Sequence, residues 1–161
     1  MVKLIQNSKT LIFGCGNPLF GDDGFGPEVI EYLEKHHQPP SATAWIDVGT
    51  SIREILFDII LSEKKPEMLI IVDTIDNIEK KPGDIFEIDI DQINPKKISD
   101  YSLHQFPTTN MLKELKDETN IDIKMIVAQI DHIPDEVAPG LSPEVMNAVP
   151  KMCKKIIDII N

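Results

Sequence analysis

Cysteine is almost absent from this sequence: Cys15 and Cys153 are the two in 161 residues. They stand near opposite ends with no partner at metal-ligand spacing, which leaves neither a disulfide framework nor a zinc motif. Basic residues are scarce as well, 16 Lys and Arg against 27 Asp and Glu, for a formal net charge of −11. Phosphate contacts require clustered Lys and Arg, so such a surface repels nucleic acid and anionic membranes, and a metal ion or a basic peptide suits it better. No apolar run reaches transmembrane length. The opening MVKLIQNSKTLIFGCG breaks its short apolar stretches with Gln6, Asn7 and Ser8 and so lacks a secretory core; a cytoplasmic protein is expected. The four histidines form no tract, and a His- or Cys-rich tract is the usual signature of a metal chaperone.

What is present points to one domain over residues 1–161. A chain 42% hydrophobic at this length suffices for a single layered core. Branched apolar runs alternate with segments of helical period, the pattern of a sheet covered on both faces. Strands are expected at Thr10 to Phe13, Thr43 to Val48, Met68 to Val72, Ile85 to Ile90 and Ile123 to Ile130, with the third central. Helices are expected from about Pro27, after a Ser51–Glu54 capping box, around Met111, Leu112 and Leu115, and from Ser142-Pro143. The segment Asp76 to Asp84 is too short for a crossover helix, so the strand after it should be antiparallel and the sheet mixed. Asp131 to Gly140, with two prolines and a glycine, reads as an ordered excursion. The predicted class is α/β: a three-layer αβα sandwich on a mixed, mostly parallel five-stranded sheet.

The sharpest local feature is the stretch from Gly14 to Gly26, with five glycines in thirteen residues. Joining a strand to a helix, it should lie at the carboxyl edge of the sheet, where open α/β folds bind ligands. It is not a dinucleotide loop: the spacing is not GxGxxG, there is no Walker lysine, and adjacent carboxylates would repel a pyrophosphate. Asp22 and Asp23 should point in different directions; the bland reading of one, at a helix start, is that it only complements the macrodipole. Asp73, directly after the third strand, should emerge at the same edge, as should Asp47 after the second, although both could be turn residues. His104 lies near a helix start, in Ser102-Leu103-His104-Gln105-Phe106-Pro107, where the dipole favours neutral imidazole; Ser102–Gln105 and Pro107 are rival start signals. Two carboxylates and an imidazole make a plausible open metal site. As edge residues, Asp23, Asp73 and His104 should accept alanine with little loss of stability.

These residues resemble the hydrogenase maturation endopeptidase family. The resemblance rests on Gly14-x-Gly16-Asn17-x-Leu19-x-x-Asp22-Asp23-Gly24-x-Gly26, Asp47-x-Gly49-Thr50, Asp73, Ser102-x-His104-Gln105 and the region from Pro134 to Pro143, in family order along nearly the whole chain. His104 to Thr109 followed by Met111-Leu112 looks like the subgroup serving archaeal coenzyme F420-reducing hydrogenases. The resemblance implies the αβα fold and metal contacts by Asp23, Asp73 and His104, with Asp22 supporting the loop. It also implies removal of a C-terminal extension from the nickel-loaded precursor of a nickel-iron hydrogenase large subunit. The family is catalogued with aspartic peptidases, yet the sequence has no DTG/DSG dyad.

Two mechanisms fit. The three residues could contact nickel held by the substrate, so that the enzyme needs no metal of its own, or they could hold a resident metal that activates water. The first is favoured because three scattered oxygen and nitrogen ligands are offered and no cysteine. Asp22, Asp47 or a metal-bound hydroxide could act as the base. A monomer binding the precursor transiently is expected. The alternatives are another small hydrolase or phosphorylase-like enzyme using the same edge, and a non-catalytic nickel-sensing chaperone.

Overall fold

The computed structural model describes residues 1–92 and 106–161; for 92 and 106–109 it describes the backbone alone. Five strands, β1 (Thr10–Cys15), β2 (Thr43–Gly49), β3 (Met68–Ile75), β4 (Ile85–Ile88) and β5 (Asp122–Gln129), form one sheet in the order β2-β1-β3-β5-β4. All pairings are parallel except β4 with β5. Helices α2 (Phe25–His36) and α5 (Pro143–Ile160) cover one face, and α3 (Ile52–Leu61) and α4 (Phe106–Glu118) the other. A short α1 (Val2–Asn7) precedes β1.

Alternation along the strands decides which residues meet which helices. In β3, Leu69, Ile71 and Ile75 join the α3/α4 cluster, whereas Ile70 and Val72 join the α2/α5 cluster. Both faces of β3 are therefore apolar, and the strand is central, as its composition predicts. By the same alternation Asp73, between Ile71 and Ile75, falls on the α3/α4 side. The helix α5 turns Val145, Val149, Met152, Cys153 and Ile156 inward. Its Pro150 is exposed, so the carbonyl freed four residues earlier can be met by water.

Several local expectations need correction. The strand β3 runs on to Ile75, so Asp73 lies within it, because β5 pairs with it from Met68↔Asp122 through Ile75↔Gln129. The antiparallel strand ends at Ile88 and sits beside β5, not β3. The long β5 takes the free edge of β3 with a full ladder, and the four-residue β4 is left at the outer edge. Helix α2 starts at Phe25, following a 3-10 turn over Gly21–Gly24, and Pro27 is its third residue. Ser51 stands at the N-cap of α3 without a side-chain cap bond, so no capping box forms. Helix α1 was not expected: none of its residues is buried, and no apolar stripe announces it. Helix α4 starts beside Pro107; Ser102 to Gln105 lie outside the described residues.

Candidate active site

The connection after β1 crosses to β2 under α2, while α3 and α4 pack on the opposite face. The carboxyl ends of β1 and β3 thus flank a switch in winding direction, the usual position of a binding crevice in an open sheet. The glycine stretch fills it by backbone contact. A Cβ on Gly26 would lie 2.2 Å from the carbonyl oxygen of Cys15, and one on Gly14 2.4 Å from that of Gly26. Gly16 has φ +134°, and a Cβ there would stand 1.8 Å from the Asp23 carbonyl oxygen. Only glycine allows the loop to fold back so closely on the strand.

The close approach turns both acidic neighbours inward, in different directions. Asp22 is 1% exposed and its carboxylate accepts three hydrogen bonds: from the Asp131 N–H (2.9 Å), the Ser142 N–H (2.7 Å) and the Ser142 hydroxyl (2.9 Å). Ser142 spends its hydroxyl on Asp22 and makes no cap bond to α5. Asp23 is 3% exposed and accepts the Asn17 N–H at 3.0 Å through Oδ2. Neither carboxylate is a surface residue, which corrects the expectation for Asp23; the loop closes over it.

The other carboxylates come to the same end of the sheet. Asp73 is half-buried within β3, and its Oδ1 accepts the Thr74 N–H at 2.8 Å. Asp47 pairs in register with Gly14, is exposed, and accepts the Gly49 N–H at 2.9 Å, which turns the chain toward α3. The charges of Asp73, Asp47 and Asp23 all reach the buried Cys15. Its thiol is pushed well above the ordinary range, first by burial and then by the negative charges of Asp73, Asp47 and Asp23. A thiol so placed stays protonated and is no nucleophile. His104 lies outside the described residues; among the described residues no three His, Cys, Asp or Glu side chains stand close enough to hold a metal ion.

Sequence reasoning missed Cys15 as the point of convergence, and missed the partners of Asp22. Ser142 reads locally as a helix cap, and no signal spans the 120 residues that separate it from Asp22.

A profile described as hydrogenase maturation protease matches residues 27–159. The chain belongs to the hydrogenase maturation protease family. A Methanocaldococcus jannaschii relative assigned to these proteases is 39% identical over 95% of this chain and 97% of its own length. The coenzyme F420 hydrogenase subunit delta of Methanothermobacter thermautotrophicus is 35% identical over 96% of each. In structure the chain is similar to the hydrogenase maturating endopeptidase HybD of Escherichia coli, with a TM-score of 0.75 at 22% identity, covering 94% of this chain and 91% of that one. The family makes it a peptidase of hydrogenase maturation, acting on a hydrogenase large-subunit precursor; the chaperone alternative gains no support. Among the described residues no helix is long and apolar enough to cross a membrane.

Proposed function

We propose that this peptidase removes the C-terminal extension of the nickel-loaded precursor of a nickel-iron hydrogenase large subunit, and that the nickel it reads belongs to the substrate. The supporting observation is that Asp23, Asp73 and Asp47 all lie at the carboxyl end of the sheet, near enough for the negative charge of each to raise the buried Cys15 thiol. Carboxylate oxygens, with an imidazole, suit a divalent first-row ion. Asp23 fits such a contact: one oxygen is oriented by the Asn17 N–H, and no described residue hydrogen-bonds the other. In this reading Asp23, Asp73 and His104 contact the nickel and so hold the adjoining peptide bond in place. Asp22, its oxygens shared among three donors, supports the loop rather than acting as base. Asp47, exposed at the same edge, is then the carboxylate suited to take a proton from the attacking water. The similarity to the F420 hydrogenase delta subunit favours an archaeal hydrogenase of that kind as the cognate enzyme.

The deciding experiment incubates chelator-treated protein with nickel-loaded precursor and follows precursor mass. Loss of a C-terminal peptide at the full rate is expected. A requirement for added metal, with the substrate already loaded, would transfer the ion to the enzyme and overturn this part of the reading.

A further inference from the structure

Residues 131–142, between β5 and α5, are fastened to the glycine loop along their length. Asp22 holds both ends, through the Asp131 N–H and through the N–H and hydroxyl of Ser142. In the middle, the Ala138 N–H donates to the Leu19 carbonyl at 2.8 Å and the Gly21 N–H to the Ala138 carbonyl at 2.9 Å, forming a parallel bridge between Phe20 and Ala138. Pro134 seals the contact: a Cβ on Gly21, whose φ is +54°, would meet its ring at 2.8 Å. The segment is a fixed strap.

Its register places Val137 opposite Leu19, one position before the bridge, and these two apolar side chains are 63% and 49% exposed. They adjoin the site directly. The Leu19 N–H donates to Asn17 Oδ1, and the Asn17 N–H donates to Asp23 Oδ2, both at 3.0 Å. Beside Val137 the strap carries exposed Asp131, Asp135 and Glu136 against a single His132. An apolar pair held rigid next to a candidate ligand, and rimmed by carboxylates, is complementary to an apolar side chain beside a cation.

We propose that the strap seats the precursor segment adjoining the scissile bond, with an apolar side chain on Leu19 and Val137 and a neighbouring Lys or Arg facing Asp135 and Glu136. Asp22 is the positioning residue that sets the strap in place. The proposal rests on the peptidase reading and adds the chemistry of the segment recognised.

The test uses the full chain and nickel-loaded precursor, with Kd for the precursor measured independently of the KM and kcat of cleavage. Val137→Asp and Leu19→Asp, at exposed positions that leave the fold intact, are expected to raise Kd and KM at least about tenfold with kcat unchanged. The double variant Asp135→Lys with Glu136→Lys should do the same, and added salt should weaken binding of the wild type more than of this variant. Asp22→Asn, which loosens the strap, should raise Kd and KM as well. Wild-type Kd in the Val137→Asp and Leu19→Asp variants, or losses confined to kcat, would overturn the proposal. If the wild type binds the precursor without cutting it, the peptidase reading fails, and the Kd comparison still decides the strap.

Discussion

At the amino end of the sheet, Lys9 and Glu67 form an ion pair at 3.4 Å with side chains 70% and 72% exposed, and α1 packs with no buried residue. At the carboxyl end, Asp22 and Asp23 are 1% and 3% exposed, three hydrogen bonds converge on one of them, and the charges of three carboxylates reach a buried thiol. The same residue types serve both ends. Solvent screens the charges at one, so they contribute little; at the other the backbone has closed around them, and each must be satisfied by a specific donor. Buried carboxylates that the core does not need single out the carboxyl end as the candidate for function.

The contrast is broken most severely at the carboxylates themselves. Asp23→Ala and Asp73→Ala are each expected to cut precursor processing by at least about 100-fold, measured by product mass. Asp23→Ala should also cost about 1 kcal/mol in urea unfolding, since its bond to the Asn17 N–H is lost. Gly16→Ala tests the closure of the loop: a methyl 1.8 Å from the Asp23 carbonyl forces the loop open, and a loss of about 3 kcal/mol or more is expected by the same measurement. Asp22→Ala leaves the Asp131 and Ser142 N–H groups without their acceptor and should cost about 2–3 kcal/mol, whereas Lys9→Ala at the opposite end should change stability by less than about 0.5 kcal/mol. Equal losses from the two would erase the distinction between the ends.

The buried thiols add a smaller effect with a definite sign. The Cys15 thiol is held well above its ordinary value of 9.0, and burial pushes Cys153 up to about 12. The unfolded chain therefore releases these protons first. Their contribution is fully present below about pH 9 and declines as pH rises toward the folded values, by about 1 kcal/mol per pH unit for each thiol. Urea unfolding at pH 8 and pH 10 should show the decline, and Cys153→Ala should shallow it.

The order of elements, the mixed sheet and the central place of β3 were legible because periodicity and branched apolar runs act locally. The position of β4 was not: pairing is a contest among strands, and the longer β5 ladder prevails. Within the site, the glycine stretch and the separate directions of Asp22 and Asp23 were readable from their neighbours. The anchoring of Asp22 was not, because its partners Asp131 and Ser142 are more than a hundred residues away.

By itself the sequence determined the layered α/β class and the arrival of the glycine stretch and its carboxylates at the carboxyl edge of the sheet, since hydrophobic period and strand-to-loop junctions are properties of short segments. It also carried the family motifs. Tertiary structure alone decided what the two neighbouring aspartates do. One is closed beneath a strap by three donors from distant segments, and the other is left with an oxygen that no described residue hydrogen-bonds. Hydrogen bonds across such separations form only after the sheet has brought its strand ends together, so no local pattern can announce them.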